Sequence, residues 1–406
     1  MKKLITLILL LTGMVCTASA KTIYIQDSWN FKNEGYKHFC VYIWNGTNTT
    51  ATEWPGNYLI KDGTAQVETV FVNNERNDNQ LYYKVDLGDC ANFKFHNYYD
   101  TDKKESTDLN SADYYDGGFY TITTGPSLSK QNVYNYNLSV STVGDISLSN
   151  VYLWTGSGGN ATKLVGEWPG DTFNGASYRY YSYSDRGTIY VIFNQGNNSG
   201  AKQTVDMTAV KGDNSYLIKD NSGEKYDRVE SVTTNAYGYC TYVNTNPLTI
   251  SNATAYYAVD GGNGSATAYA ITNPVAGTPM LIKGDNSTTY YFAVASTGTA
   301  LENTNAFHAG TGEAVSTGTG PYNYILNDDA FYLANGKTVA TNKAYLQLSA
   351  QATARALIFP DDESTGISAV AASTGNTGAY YNLSGQRVAA PARGLYIKDG
   401  KKVMVK

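Results

Sequence analysis

Apolar and polar positions alternate along most of this chain, in short runs broken by Gly, Asn, Asp and Ser. In a strand successive side chains face opposite ways. Val41 and Ile43 therefore point to one face while Tyr42 and Trp44 point to the other, and Val151 and Leu153 oppose Tyr152 and Trp154 in the same manner. The runs 290–294 and 343–348 read as further strands. Near the end, 395–398 and 401–405 flank Asp399-Gly400, a two-residue hairpin signal. No segment beyond the first 20 residues carries a helical period for more than two turns. The pattern predicts an all-β protein of short strands, arranged as tandem β-sandwich (immunoglobulin-like) modules followed by a further β domain and a short C-terminal β tail.

An internal repeat organises the first half. Val41-Tyr42-Ile43-Trp44-Asn45-Gly46 recurs as Val151-Tyr152-Leu153-Trp154-Thr155-Gly156. Each copy is followed by Glu-Trp-Pro-Gly, at 53–56 and 167–170, so the second tryptophan lies 10 residues after the first in one copy and 14 in the other. Phe95-His96-Asn97 then matches Phe193-Asn194-Gln195, and 13 residues beyond each phenylalanine stands an aspartate, Asp108 or Asp206. The expected organisation is a leader (1–20), a first module (21–125) with an insertion around 62–80, and a second module (126–249) whose start is blurred by the Ser/Asn-rich stretch 127–149. An Ala/Gly/Thr-rich β spacer (250–362) and a linker with a compact tail (363–406) complete it.

The leader reads as a signal peptide. Lys2 and Lys3 precede an apolar run, 4–15, and Ala18-Ser19-Ala20 is a small-residue cleavage site, so export to the cell surface or the medium is expected. Without the leader the chain has 28 Lys+Arg against 35 Asp+Glu, a net charge of −7. That acidity argues against a nucleic-acid partner, which needs clustered cations. Cys40, Cys90 and Cys240 remain after cleavage. An exported chain can join Cys40 to Cys90 and leave Cys240 as a thiol, or keep three separate buried thiols. No C-x-x-C occurs, and His38, His96 and His308 are scattered, so neither a metal nor another cofactor is implied.

The repeated aromatics carry the candidate chemistry. With the aliphatic residues in the core, Tyr-x-Trp faces outward, and Trp54 or Trp168, in a loop ahead of Pro-Gly, can join the strand pair at an angle. A contiguous exposed aromatic patch marks a binding face. A pyranose ring suits it, with an apolar C–H face for stacking and a belt of hydroxyls for neutral donors and acceptors such as Asn97, Asn194, Gln195 and Gln203. The alternative is that the tryptophans are core residues, as in many sandwiches. Trp29 has no counterpart in the second copy and is assigned to packing.

These residues together resemble the starch-binding carbohydrate-binding module of family 26, over both modules and most clearly in the second. The resemblance implies β-sandwiches that bind α-1,4-glucans on two or three aromatic rings. By position these are Tyr42, Trp44 and Trp54 in the first module and Tyr152, Trp154 and Trp168 in the second. His96 replaces the family's Asn in the first module. The tail, Tyr381-Asn382-Leu383-Ser384-Gly385-Gln386 through Lys401-Lys402-Val403, is similar to C-terminal sorting-type domains of surface proteins from some Gram-negative bacteria. That similarity implies outer-membrane secretion machinery as a partner.

Catalytic signatures are missing from the sequence. There is no G-x-S-x-G and no H-E-x-x-H. Glu53 and Glu167 adjoin the key tryptophans, but neither has a recurrent acidic partner nearby for glycoside hydrolysis. Asp220-Asn221-Ser222-Gly223-Glu224 reads as a turn, since its calcium-ligand spacing is incomplete. The expectation is a non-catalytic starch or malto-oligosaccharide binder. A structural or adhesive surface protein with buried aromatics, or an accessory subunit of an amylase, stands as the alternative.

Overall fold

A computed structural model describes residues 20–27, 37–45, 52–73, 80–98, 104–122, 128–158, 161–221, 223–352, 356–358, 366–369, 380–381, 387–388, 394–398 and 401–405. The leader before Ala20, Trp29 and most of the linker before the tail lie outside the described residues. The fold is all-β, with no α-helix among the described residues. None of their helices is long and apolar enough to cross a membrane. The chain forms two compact units, Met1–Tyr226 and Asp227–Lys406.

The first unit contains two sandwiches. In the first, β1 (Lys21–Gln26), β2 (Phe39–Trp44), β3 (Asn57–Lys61), β4 (Thr64–Ala65), β5 (Thr69–Phe71), β6 (Leu81–Gly88), β7 (Asn92–His96), β8 (Leu109–Asn110), β9 (Gly118–Ile122) and β10 (Leu128–Gln131) follow in order. They make two sheets, β10-β9-β1-β6-β5 and β4-β3-β2-β7-β8. The inward residues of both sheets, among them Ile23, Ile25, Val41, Ile43, Val85, Phe93 and Phe95, form one core.

The second sandwich comprises β11 (Tyr134–Val143), β12 (Asn150–Thr155), β13 (Thr162–Lys163), β14 (Asp171–Thr172), β15 (Ser177–Ser182), β16 (Ile189–Asn194), β17 (Met207–Ala209) and β18 (Gly212–Asp220). Its pairings repeat those of the first. β1 is antiparallel to β6 and parallel to β9, and β11 is antiparallel to β15 and parallel to β18. β2 lies between β3 and β7, as β12 lies between β14 and β16.

The strands place the module limits differently from the sequence repeat. β10 completes the first sandwich, which therefore runs past 125. The Ser/Asn-rich stretch holds β11, where buried Tyr136, Leu138 and Val140 alternate with Asn137, Ser139 and Ser141. Composition hid a strand that alternation reveals. The second sandwich ends at Tyr226 rather than 249, because the strand Tyr239–Val243 pairs with Pro279–Lys283 in the second unit.

The insertion of the first sandwich has a packing role. It carries the edge strand β5, and just beyond it Val72 bridges to Tyr181 of β15 while Asn73 N–H donates to Tyr181 O at 2.7 Å. Tyr24, Tyr82 and Phe119 on the outer face of the first sandwich close around Tyr181, with Val72, in a cluster of five buried side chains. Phe119 and Tyr181 lie 5.1 Å apart, and the Tyr82 and Tyr183 hydroxyls are 2.9 Å apart. The two sandwiches are thus joined by an aromatic core rather than by a bare linker.

The second unit is built on a ten-stranded sheet that begins at Tyr239–Val243 and ends at Phe307–Ala309. Gly366–Ala369 pairs within this sheet, so the third region's strands extend past 362. The expected terminal hairpin is present, Gly394–Lys398 against Lys401–Val405. Cys40, Cys90 and Cys240 are buried and take no part in a disulfide. Burial pushes the Cys240 thiol up to about 11.

Candidate functional site

Strand alternation sorts the repeated motif as expected. Val41, Ile43, Val151 and Leu153 are fully buried, while Tyr42, Trp44, Tyr152 and Trp154 are half-buried on the opposite face. The loop tryptophans are the most open, Trp54 at 44% and Trp168 at 40%. The tryptophans of both motifs are therefore not core residues.

The loop rings are placed by a tight turn. Gly56 N–H donates to Glu53 O, and Gly170 N–H donates to Glu167 O. Both glycines have positive φ, +82° and +87°, and both lie against the neighbouring strand. A Cβ on Gly56 would sit 2.2 Å from Val41 O, and one on Gly170 would sit 2.1 Å from Val151 O. Only glycine lets the turn lie flat on the strand immediately before Tyr42 or Tyr152. The turn thereby delivers the tryptophan to the tyrosine.

The resulting geometry is closely matched. Tyr42 and Trp44 are stacked at 5.2 Å, and Trp54 meets Tyr42 edge-on at 5.6 Å and 66°. Tyr152 and Trp154 lie 5.7 Å apart at 34°, and Trp168 meets Tyr152 at 5.5 Å and 63°. Each set is a cradle, with two rings side by side and a third turned up at one end. In the second sandwich Tyr190 adds a fourth ring, stacked on Trp154 at 5.2 Å and 15°. Sequence reading missed Tyr190, because only the β12–β16 register sets it opposite Trp154, where the first sandwich pairs Trp44 with Asn92.

Asn194 has a different place from the one its polarity suggested. It is buried, not open to a ligand. Its Nδ2 donates to Pro169 O at 3.0 Å, and its Oδ1 accepts from Gly196 N–H at 2.9 Å. It pins the tryptophan turn to the sheet. His96 does the same in the first sandwich: Nδ1 accepts from Tyr98 N–H at 3.0 Å, which leaves the proton on Nε2, 2.9 Å from Pro55 O. The imidazole also stacks under Trp54 at 4.1 Å. Burial holds its pKa below the usual histidine range. Histidine for asparagine thus preserves the turn.

The other polar candidates divide. Asn97 Oδ1 and Gln195 Oε1 accept from the main-chain N–H of Lys104 and Lys202, respectively, and so brace the loops beside the platforms. Gln203 is half-buried and stands directly across from Asn194, on the face that carries Tyr152 and Trp154. Glu105 holds the matching position opposite His96. There Lys94 pairs with Glu105 at 2.6 Å and Asp108 at 2.9 Å, and lies 5.9 Å from the Trp44 ring centroid. The second sandwich has Ile192 opposite Tyr152, where the first has Lys94 opposite Tyr42.

Glu167 is exposed and paired to Lys163 at 2.5 Å. Asp220 accepts from Gly223 N–H and pairs with Lys202, an ordinary turn arrangement. Among the described residues no three His, Cys, Asp or Glu side chains gather to hold a metal ion.

Residues 147–209 match the family model of starch-binding module 26. That span includes the whole second platform with Asn194 and Gln203, and the match supports starch binding by the second sandwich. A search of curated proteins gives no match. Among solved structures the chain is similar to CBMbc, a family-26 module from Eubacterium rectale Amy13K crystallised with maltoheptaose. The identity is 18%, the alignment covers 49% of this chain and 91% of that one, and the TM-score is 0.24.

Proposed function

We propose that this is an exported, non-catalytic starch-binding protein that holds α-1,4-glucan on two aromatic platforms, Tyr42/Trp44/Trp54 and Tyr152/Trp154/Trp168. The observation that carries the reading is the repeated cradle, in which a flat ring pair meets a third ring at 66° or 63°. Consecutive glucose units of an α-1,4 chain turn relative to one another, so successive C–H faces suit rings set at an angle better than one flat plane. The match over 147–209 supports the glucan preference for the second platform. Equivalent strand pairing and turn geometry extend it to the first.

A shallow platform of this kind binds weakly, in the ~0.1 mM range or about −5.5 kcal/mol. Two platforms on one chain raise avidity for a long glucan by roughly 10²–10⁴ without new contacts. The decisive experiment is a pull-down on granular starch with a parallel reducing-sugar assay. The parent chain should bind and release no sugar. Alanine at Trp44, Trp54, Trp154 and Trp168 together should abolish binding while circular dichroism stays unchanged. Retained binding by that folded variant ends the platform reading, and sugar release ends the non-catalytic one.

The leader motivates cleavage after Ala20, which mass spectrometry of the secreted protein tests by a first residue of Lys21. The tail is proposed to engage secretion machinery. Because Gly366–Ala369 belongs to the ten-stranded sheet, the informative deletion is 380–406. It should abolish surface display and leave starch affinity unchanged.

A further inference from the structure

The first sandwich carries a second group of rings that the described residues of the second sandwich do not repeat. His38, Tyr58 and Tyr98 lie together at 5.4 to 6.2 Å between centroids, and Lys61 Nζ is 5.2 Å from the Tyr58 ring centroid. Tyr98 is 42% exposed and adopts φ +53°, a conformation costly for a bulky residue. The second sandwich makes the same hydrogen bond from Gly196, at φ +86°, where the conformation is easy. It likewise has Thr172 where the first has Tyr58, each paired with the residue two before the platform tyrosine. Two aromatic side chains therefore stand at positions where this fold needs neither, and one of them is strained and open to solvent.

The group continues the platform. Tyr98 N–H holds the His96 ring on which Trp54 stacks, and Tyr58 lies two residues after Gly56, the last residue of the tryptophan turn. We infer that Tyr98 and Tyr58 form an additional glucose subsite beyond Trp54, so that the first sandwich reads a longer stretch of glucan than the second. The exposed Tyr98 ring supplies a stacking face. Lys61, over the Tyr58 ring, and the exposed Asp62, 3.7 Å from His38 Nε2, supply a donor and an acceptor for hydroxyls on the Tyr58 and His38 side of the group. The inference rests on the platform reading above.

The test uses the full chain with Trp154→Ala and Trp168→Ala, so that only the first platform reports. Calorimetric titrations with maltotriose and maltoheptaose are compared for Tyr98→Gly and Tyr58→Thr, the residues found in the second sandwich. Tyr98→Gly removes the ring and relieves the backbone, so its unfolding temperature should hold or rise. Its maltoheptaose affinity should fall about fivefold, with maltotriose affinity unchanged. Tyr58→Thr should act in the same direction. Unchanged affinity for both sugars overturns the subsite and leaves the platform standing, provided Trp54→Ala abolishes binding. An equal loss for both sugars also overturns it, since Tyr98 would then act only by positioning Trp54. If Trp54→Ala changes nothing, the platform and the subsite fall together.

Discussion

The two sandwiches solve one placement problem with different side chains. In each, Trp-Pro-Gly geometry is forced by a glycine pressed on the preceding strand and by a buried side chain that spans Pro O and a main-chain N–H. That side chain is His96 in one and Asn194 in the other. Around this shared frame the surroundings diverge. Trp44 has an ion network of Lys94, Glu105 and Asp108 at its side, whereas Trp154 stacks on Tyr190 with Gln203 and Ile192 nearby on the same face. The comparison teaches that the cradle depends on backbone contacts and that its rim is free to vary. Both rims carry ions, Lys94 with Glu105 and Asp108 in one and Lys163, opposite Trp154, with Glu167 in the other, and the second adds the Tyr190 ring and the neutral amide of Gln203.

The sharpest way to break the equivalence is at the glycines. Gly170→Ala places a Cβ inside contact with Val151 O, so the turn must lift and carry Trp168 with it. Glucan binding at the second platform should fall more than tenfold, and stability should drop by about 2–3 kcal/mol, read by titration and urea unfolding. Gly56→Ala should do the same to the first platform alone. Equal binding by parent and variant would show that the turn does not set the ring.

Exchanging the pins gives a smaller effect. Asn194→Ala leaves Pro169 O and Gly196 N–H without their partner, at a cost of about 1–3 kcal/mol. Asn194→His and His96→Asn should recover most of the stability and binding, since each installs the other sandwich's solution. Failure of both exchanges would make the two pins unlike in function.

The smallest effect is on pH dependence. The folded pKa of His96 lies below its unfolded value, so the unfolded chain takes up the proton first as pH falls. Its contribution is therefore full above the unfolded value of about 6.5 and is lost as pH drops through the window below it. Protonation would also set an N–H of the ring against Tyr98 N–H. The parent should lose unfolding temperature between pH 7.5 and 5.5 faster than His96→Asn does, measured by differential scanning calorimetry. Parallel curves would mean that His96 is not buried neutral.

Much of this was readable from the chain alone. Period-two alternation placed Val41 and Ile43 inward and Tyr42 and Trp44 outward, because a pleated strand leaves no other choice once one face is apolar. The repeat of Glu-Trp-Pro-Gly singled out Trp54 and Trp168 as a third ring, since Pro-Gly favours a loop or turn that can swing the tryptophan beside the strand. Tertiary structure alone decided the rest. Asn194 looked like a sugar ligand, and only the packing of Pro169 over it shows that both its polar atoms are spent on the turn. Tyr190 became part of a platform through the register of β16 against β12, which no local pattern encodes. The end of the second sandwich at Tyr226 and the aromatic closure around Tyr181 depend on partners far apart in sequence. Local physics fixes which way a side chain points, but the strand that comes to lie beside it is chosen by the whole fold.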